Sequence, residues 1–168
     1  MEEIIRFQNN MLLIRRTVGW TAEEFGDKIG VTRQTINNLE KNNRDKFKLN
    51  KTQYIAMRSV LDAEIARCPE ETEVLRLILD MLVDYPEQYK EDEIRTLLEK
   101  ANMITPSILA GTATRKAASK EVMLAMGAVL GGNFAAGAMG AIASPLLAGG
   151  AVGAWLVKAI SSGKKKKV

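Results

Sequence analysis

The fold is decided by residues 21–40, which read TAEEFGDKIGVTRQTINNLE. Thr21 is followed three residues later by Glu24, and this spacing is a capping box that begins a helix. Gly30 ends that helix, because glycine adopts the left-handed conformation without a Cβ penalty. Thr32 then supplies the N-cap of a second helix. The stretch therefore predicts two short helices separated by a tight turn.

The apolar residues of this stretch give each predicted helix an inner face. Phe25 and Ile29 lie four residues apart on the first helix, and Ile36 and Leu39 lie three apart on the second. Trp20, just before the first helix, is expected to join Phe25 in the core. Two short helices joined by a three-residue turn that contains glycine are the parts of a helix-turn-helix.

The outer face of the second helix consists of side chains that form hydrogen bonds. These side chains are Arg33, Gln34, Thr35, Asn37 and Asn38. Arginine matches the O6 and N7 acceptors of guanine, whereas glutamine and asparagine match N6 and N7 of adenine. Because the N-terminal turn of such a helix enters the major groove, this face predicts base reading in double-stranded DNA.

A basic flank surrounds the predicted reading face. Residues 28–58 hold eight basic residues against two acidic ones. We expect contacts to the DNA backbone from Thr21, Lys41, Arg44, Lys46, Lys48 and Lys51. Contacts of this kind fix the register of the protein on the duplex without reading sequence, and they make binding salt-dependent. The alternative interpretation is a helix-turn-helix that makes only protein contacts.

Residues 12–42, LLIRRTVGWTAEEFGDKIGVTRQTINNLEKN, resemble the phage-repressor, Cro-like (Xre) helix-turn-helix family. The resemblance implies an all-α, lambda-repressor-like domain of five helices over residues 1–67, and it does not reach the C-terminal part. It also implies that five residues face DNA, namely Thr32, Arg33, Gln34, Thr35 and Asn38. The chain departs from the family pattern at Ala22, where a phosphate-binding glutamine is common, and at Asn42-Asn43, where a glycine is usual.

Residues 62–99 form an acidic block, with twelve acidic residues against four basic ones. Within residues 68–104 the sequence predicts a pair of helices separated at Pro86, each with apolar residues at helical spacing. The apolar stripe of the first helix is wide, which predicts burial on more than one side, and Met81 in it is expected to be a packing residue. Two alternatives remain for this acidic helical pair. It packs against the first domain, or it joins two copies of the chain across paired half-sites.

The back of the chain has a different composition. Residues 105–121 are small, polar and mildly basic, and we interpret them as a linker or a surface helix. Residues 122–157 contain no charged residue, and about 20 apolar residues suffice to cross a bilayer. Because basic residues flank both ends, residues 122–160 predict a Gly/Ala-rich apolar helical hairpin that associates with a membrane. The alternative is a soluble hairpin that forms the core of an oligomer.

Small residues recur along the predicted hairpin at a spacing that lets helices approach closely. The expected helix-packing positions are Gly127, Gly131, Gly132, Ala136 and Gly140. Residues 161–168 form a basic tail that is expected to bind anionic lipid or nucleic acid. Its lysines are Lys164, Lys165, Lys166 and Lys167.

The sequence contains no pattern for catalysis. It has no histidine, and Cys68 is its single cysteine, so a metal site built from the usual ligands is not expected. We therefore predict a protein that is not an enzyme and uses no cofactor, and we identify no small-molecule substrate. The acidic and polar start of the chain lacks a signal-peptide pattern, which predicts a cytoplasmic location, at the inner face of the cell membrane if the hairpin inserts.

Two functional hypotheses follow from these features. The first is a sequence-specific, dimeric DNA-binding transcriptional regulator of the Xre type with a C-terminal membrane-associating or self-assembling hairpin. The second is a membrane-active or oligomer-forming effector, a pore or assembly element controlled by its helix-turn-helix domain. Both hypotheses predict that the two parts of the chain act separately, so a fragment ending near residue 104 should still bind DNA.

Overall fold

The fold consists entirely of helices in a computed structural model that describes residues 2–41, 45–111 and 113–130. In these ranges there are seven α-helices and no strand. The helices are α1 (Glu2–Val18), α2 (Ala22–Ile29), α3 (Arg33–Glu40), α4 (Lys51–Arg67), α5 (Glu73–Leu79), α6 (Glu91–Leu109) and α7 (Arg115–Leu130). The predicted all-α class is thereby confirmed.

Helix α1 contacts most of the other helices. Its residues Phe7, Met11, Ile14 and Val18 recur every three or four positions and are all buried, so they form one continuous apolar stripe. This stripe faces α3, α5 and α6, and the ring of Phe7 meets the ring of Tyr54 on α4 edge-on at a centroid distance of 5.2 Å. The buried residues of all seven helices therefore belong to one core.

The helix that follows the predicted domain of residues 1–67 packs against that domain, and the boundary itself stays a prediction. Residues 1–67 contain four of the described helices, where the resemblance implied five, and α5 is the next helix along the chain. A short 3₁₀ turn at Pro69–Glu71 leads the chain back, so that α5 packs against α1 and α4. The wide apolar stripe of α5 is buried, as the sequence predicted, and Met81 after it is fully buried.

A π-helical turn, Asp80–Asp84, continues α5 before Pro86. The amide of Tyr85 donates to the carbonyl of Asp80 at 2.9 Å, which closes this wider turn. Arg58 of α4 donates to Asp84 at 3.0 Å. Burial raises the pKa of Asp84 to about 6, although Arg58 opposes the shift. Both α5 and α6 pack against α1 within the chain, and dimerisation through this pair stays a prediction.

Of the two interpretations of residues 105–121, the structure agrees with a helix and not with a linker, since most of these residues are helical. Helix α6 runs to Leu109, and α7 begins at Arg115 after a short turn. The small residues are helical because Ala is the strongest helix former and the hydroxyl of Thr114 accepts from the amide of Ala117 at 3.1 Å, as an N-cap does. Arg115 also donates to Glu64 of α4 at 2.7 Å, so the segment is fastened to the first domain.

The predicted hairpin boundary at residue 122 lies inside α7. Val122 and Met126 are buried in the same core as α1, and Gly127 is buried beside them. The rest of the predicted hairpin lies outside the described residues, as do the packing positions Gly131, Gly132, Ala136 and Gly140 and the tail lysines Lys164 to Lys167. Among the described helices, none combines the length and the apolar character that a membrane crossing requires.

Candidate nucleic-acid interface

Local hydrogen bonds build the two-helix unit at residues 21–40 as the sequence predicted. The hydroxyl of Thr21 accepts from the amide of Glu24 at 3.1 Å, and the Glu24 carboxylate accepts from the amide of Thr21 at 2.7 Å. The backbone hydrogen bond to Thr21 is the main reason that the pKa of Glu24 is lowered. Gly30 has φ of 75°, and Thr32 caps α3 by accepting from the amide of Thr35 at 3.2 Å.

Gly26 allows α2 and the turn to approach closely, a role that its position inside a helix does not reveal. A Cβ atom built on Gly26 would lie 2.5 Å from the carbonyl oxygen of Val31. The amide of Val31 also donates to the carbonyl of Gly26 at 2.9 Å. This hydrogen bond holds the turn in the space that a side chain at position 26 would occupy. The angle between α2 and α3 therefore depends on a residue with almost no side chain at position 26.

We expect Gly26→Val to destabilise the protein by about 2–3 kcal/mol, because overpacking typically costs about 1–3 kcal/mol and here the obstructing atoms are backbone. The matched control is Asp27→Val on the exposed side of α2, which introduces the same branched side chain without the collision. Urea denaturation of the full chain measures both changes. Equal losses for the two variants would show that position 26 is not a close contact.

The outer face of α3 carries the predicted base-reading residues. Arg33 and Gln34 are exposed, as is Thr32 at the N-cap, while Thr35, Asn37 and Asn38 are half-buried. The amide nitrogen of Gln34 donates to the amide oxygen of Asn38 at 3.0 Å, so these two side chains form one unit along the helix. Ile36 and Leu39 point the other way into the core. Helix α3 therefore has one buried apolar side and an opposite side that carries hydrogen-bond donors and acceptors.

The basic residues among the predicted phosphate contacts follow α3 in the chain, whereas Thr21 is the N-cap of α2. Thr21, Lys41, Lys46, Lys48 and Lys51 are all exposed, whereas Arg44 lies outside the described residues. The ammonium of Lys46 lies 5.6 Å from the centroid of the Phe47 ring. Buried Leu49 and the capping box of Asn50 with Gln53 hold the start of α4. The basic residues at positions 46, 48 and 51 therefore lie in or beside the segment that these contacts hold at the start of α4.

A buried ion pair anchors the end of α3. The Arg15 guanidinium of α1 donates to both carboxylate oxygens of Glu40, at 2.5 and 2.9 Å. A third hydrogen bond from Arg15 reaches the carbonyl of Trp20 at 2.6 Å, just before α2. One side chain therefore connects the entry to α2 with the exit from α3. No local pattern in the sequence reveals this pair, because its members are 25 residues apart and no helical periodicity relates them.

These elements define a helix-turn-helix whose second helix, α3, has a polar outer face. Residues 12–50 match the family model described as helix-turn-helix. The front of the chain is therefore a helix-turn-helix domain of the phage-repressor, Cro-like (Xre) type, as its resemblance implied. The match ends before α4 and includes neither the acidic helices nor the apolar C-terminal part. No curated protein and no solved structure matches the chain.

Proposed function

We propose that this protein is a transcriptional regulator that reads specific sequences in double-stranded DNA with the outer face of α3. The family match supports DNA binding by a regulator of the Xre type. The finer assignment rests on one observation. Helix α3 buries Ile36 and Leu39 and is fixed by the Arg15–Glu40 pair, while its polar face stays exposed beside four exposed lysines.

This arrangement separates the two tasks of DNA recognition. Arg33 and Gln34 lie in the first turn of α3, where a recognition helix meets base edges. The lysines at positions 41, 46, 48 and 51 lie after the helix and suit phosphate oxygens. Base preference should therefore depend on the first turn of α3, and the electrostatic part of the affinity should depend on the lysines.

We expect Arg33→Ala and Gln34→Ala each to reduce discrimination between preferred and altered sites by about 1–3 kcal/mol, the value of one good bidentate base contact. Lys46→Ala should instead weaken binding to all sequences alike and reduce the slope of log K against log salt by about 1. The measurement is selection of preferred duplexes by the full chain, followed by salt titrations of each variant.

Lys90→Ala is the matched control, because Lys90 is an exposed lysine in the acidic part of the chain. It should change neither the base preference nor the salt slope. Failure of the wild-type protein to bind any duplex DNA at low salt would overturn the proposed function. Equal loss from Arg33→Ala on every sequence would overturn the assignment of Arg33 to base reading.

The regulator is proposed to act as a dimer, since one short recognition helix covers only a half-site and two-fold pairing is the usual way to reach a second half-site. The acidic pair of α5 and α6 is the proposed joining element. Analytical ultracentrifugation of the full chain, with and without a selected duplex, tests this point. A monomer that binds a single half-site at full affinity would contradict it.

The second candidate function is the membrane-active or oligomer-forming effector, and the described end of α7 favours it. Leu124 is 66% exposed and Val129 is 37% exposed, and the charge-free stretch of residues 122–157 continues from there. Flotation of the full chain with vesicles, followed by an alkaline wash, tests membrane insertion. A protein that stays in the aqueous fraction as a defined oligomer would favour assembly instead.

A further inference from the structure

Gln8 is a buried polar side chain whose hydrogen bonds all leave its own helix. It lies on α1 and is 7% exposed. Its amide nitrogen donates to the carbonyl of Leu39 at 3.1 Å and to that of Phe47 at 2.8 Å. Its amide oxygen accepts from the backbone amide of Leu49 at 3.0 Å. A single side chain therefore bonds the last turn of α3 and the segment that follows it.

The segment that Gln8 holds carries two of the basic residues of the candidate interface. Lys46 and Lys48 are exposed and flank Phe47, the residue whose carbonyl Gln8 binds. Residues 46–49 precede Asn50, the N-cap of α4, and include no helical residue, so helix hydrogen bonds do not fix the backbone there. The backbone groups of Phe47 and Leu49 would otherwise need other partners, because buried backbone polar groups are costly when unpaired.

We propose that Gln8 is a positioning residue for DNA binding, which sets Lys46 and Lys48 at a fixed distance from the recognition helix. The inference rests on the proposed DNA-binding function. Gln8 bonds Leu39 and Phe47 through the same amide nitrogen, so the reading helix and the lysine segment share one anchor. Because the segment is already held in place, its lysines contact phosphates without the entropy cost of ordering the segment on binding. The affinity for DNA is therefore higher than for a segment that must first be ordered.

The test is a double-mutant analysis in the full chain with mixed-sequence duplex DNA. Gln8→Met keeps the length of the side chain and removes its hydrogen bonds. We expect it to reduce the slope of log K against log salt by about 1–2, because each lost phosphate contact lowers the slope by about 0.9. Arg33-dependent base preference should stay. Asn10→Met is the matched control, since within the described residues the Asn10 amide donates to the carbonyl of Arg6 on the same helix.

The decisive readout is non-additivity. In the Gln8→Met background, Lys46→Ala should change the slope by close to zero, whereas in the wild type it should change it by about 1. An unchanged slope for Gln8→Met, or a full additive loss on adding Lys46→Ala, would overturn the positioning role while leaving DNA binding intact. Absence of any wild-type DNA binding would remove the proposed function and this inference together.

A second measurement covers the case in which Gln8→Met does not fold. Hydrogen exchange of the Leu49 amide is followed in the wild-type protein, where its acceptor is the Gln8 side chain and not a helix carbonyl. We expect strong protection of Leu49 before DNA is added and little change afterwards. Exchange at the rate of an unprotected amide, or protection that appears only with DNA, would show that Gln8 does not hold the segment in advance.

Discussion

A fragment that ends at residue 104 is expected to be largely unfolded, whereas a fragment that ends at residue 130 should unfold cooperatively like the full chain. The shorter fragment lacks α7, whose Val122 and Met126 are almost completely buried in the common core. It also loses the hydrogen bond from Arg115 to Glu64. The sequence alone predicted that the fragment ending near residue 104 would act separately, and the position of α7 changes that expectation.

The size of the effect follows from the buried side chains. Loss of a buried Leu, Ile or Met side chain costs about 2–5 kcal/mol, and burial of a Val contributes about 1.5–3 kcal/mol. Together with the newly exposed partners of α7, the loss approaches the total stability of a typical domain, about 5–15 kcal/mol. Urea unfolding followed by circular dichroism compares the two fragments.

Point variants in the full chain provide the control for this truncation. Met126→Ala should lose about 2–5 kcal/mol, whereas Leu124→Ala, on the 66% exposed side of the same helix, should change stability little. Equal unfolding midpoints for the fragments ending at 104 and 130 would contradict the assignment of α7 to the core. DNA binding by the fragment ending at residue 104 at wild-type affinity would contradict it independently.

The helix-turn-helix could be predicted from sequence because its determinants are local. The capping box of Thr21 and Glu24, the left-handed Gly30 and the N-cap Thr32 each act within a few residues, and all three are present in the structure. The amphipathic character of α3 is equally local, since Ile36 and Leu39 fix its inner side. Short-range rules therefore give both the motif and its exposed face.

The remaining features depend on contacts between distant residues. The amide of Leu49 donates to Gln8 across 41 positions, and the Arg115 guanidinium donates to the carbonyl of Val18 across 97 positions. No local sequence pattern relates residues so far apart. Helix α7 was misinterpreted for a different reason. Its residues 122–130 are almost all apolar, and alanine and glycine give a weak helical periodicity because they are tolerated on both the buried and the exposed side.

Removal of one partner of the Arg15–Glu40 pair is expected to cost about 3–5 kcal/mol, because it leaves an uncompensated charge in the core. The two side chains are only 9% and 7% exposed, so water cannot replace the lost partner. Glu40→Leu and Arg15→Met should each lower the midpoint of urea unfolding strongly, and both should weaken DNA binding because the end of α3 is no longer fixed.

The double variant Arg15→Met with Glu40→Leu separates the cost of a lone charge from the loss of an attraction. We expect it to recover much of the stability, since a buried ion pair can often be replaced by apolar residues at little cost. It should remain less stable than the wild type, because the carbonyl of Trp20 loses the hydrogen bond from Arg15.

The corresponding double replacement of the exposed Lys116–Glu70 pair is the control and should have little effect on stability. If the double variant at positions 15 and 40 is no more stable than the single variants, the cost of each single replacement does not come from an uncompensated buried charge, and the expected recovery is contradicted.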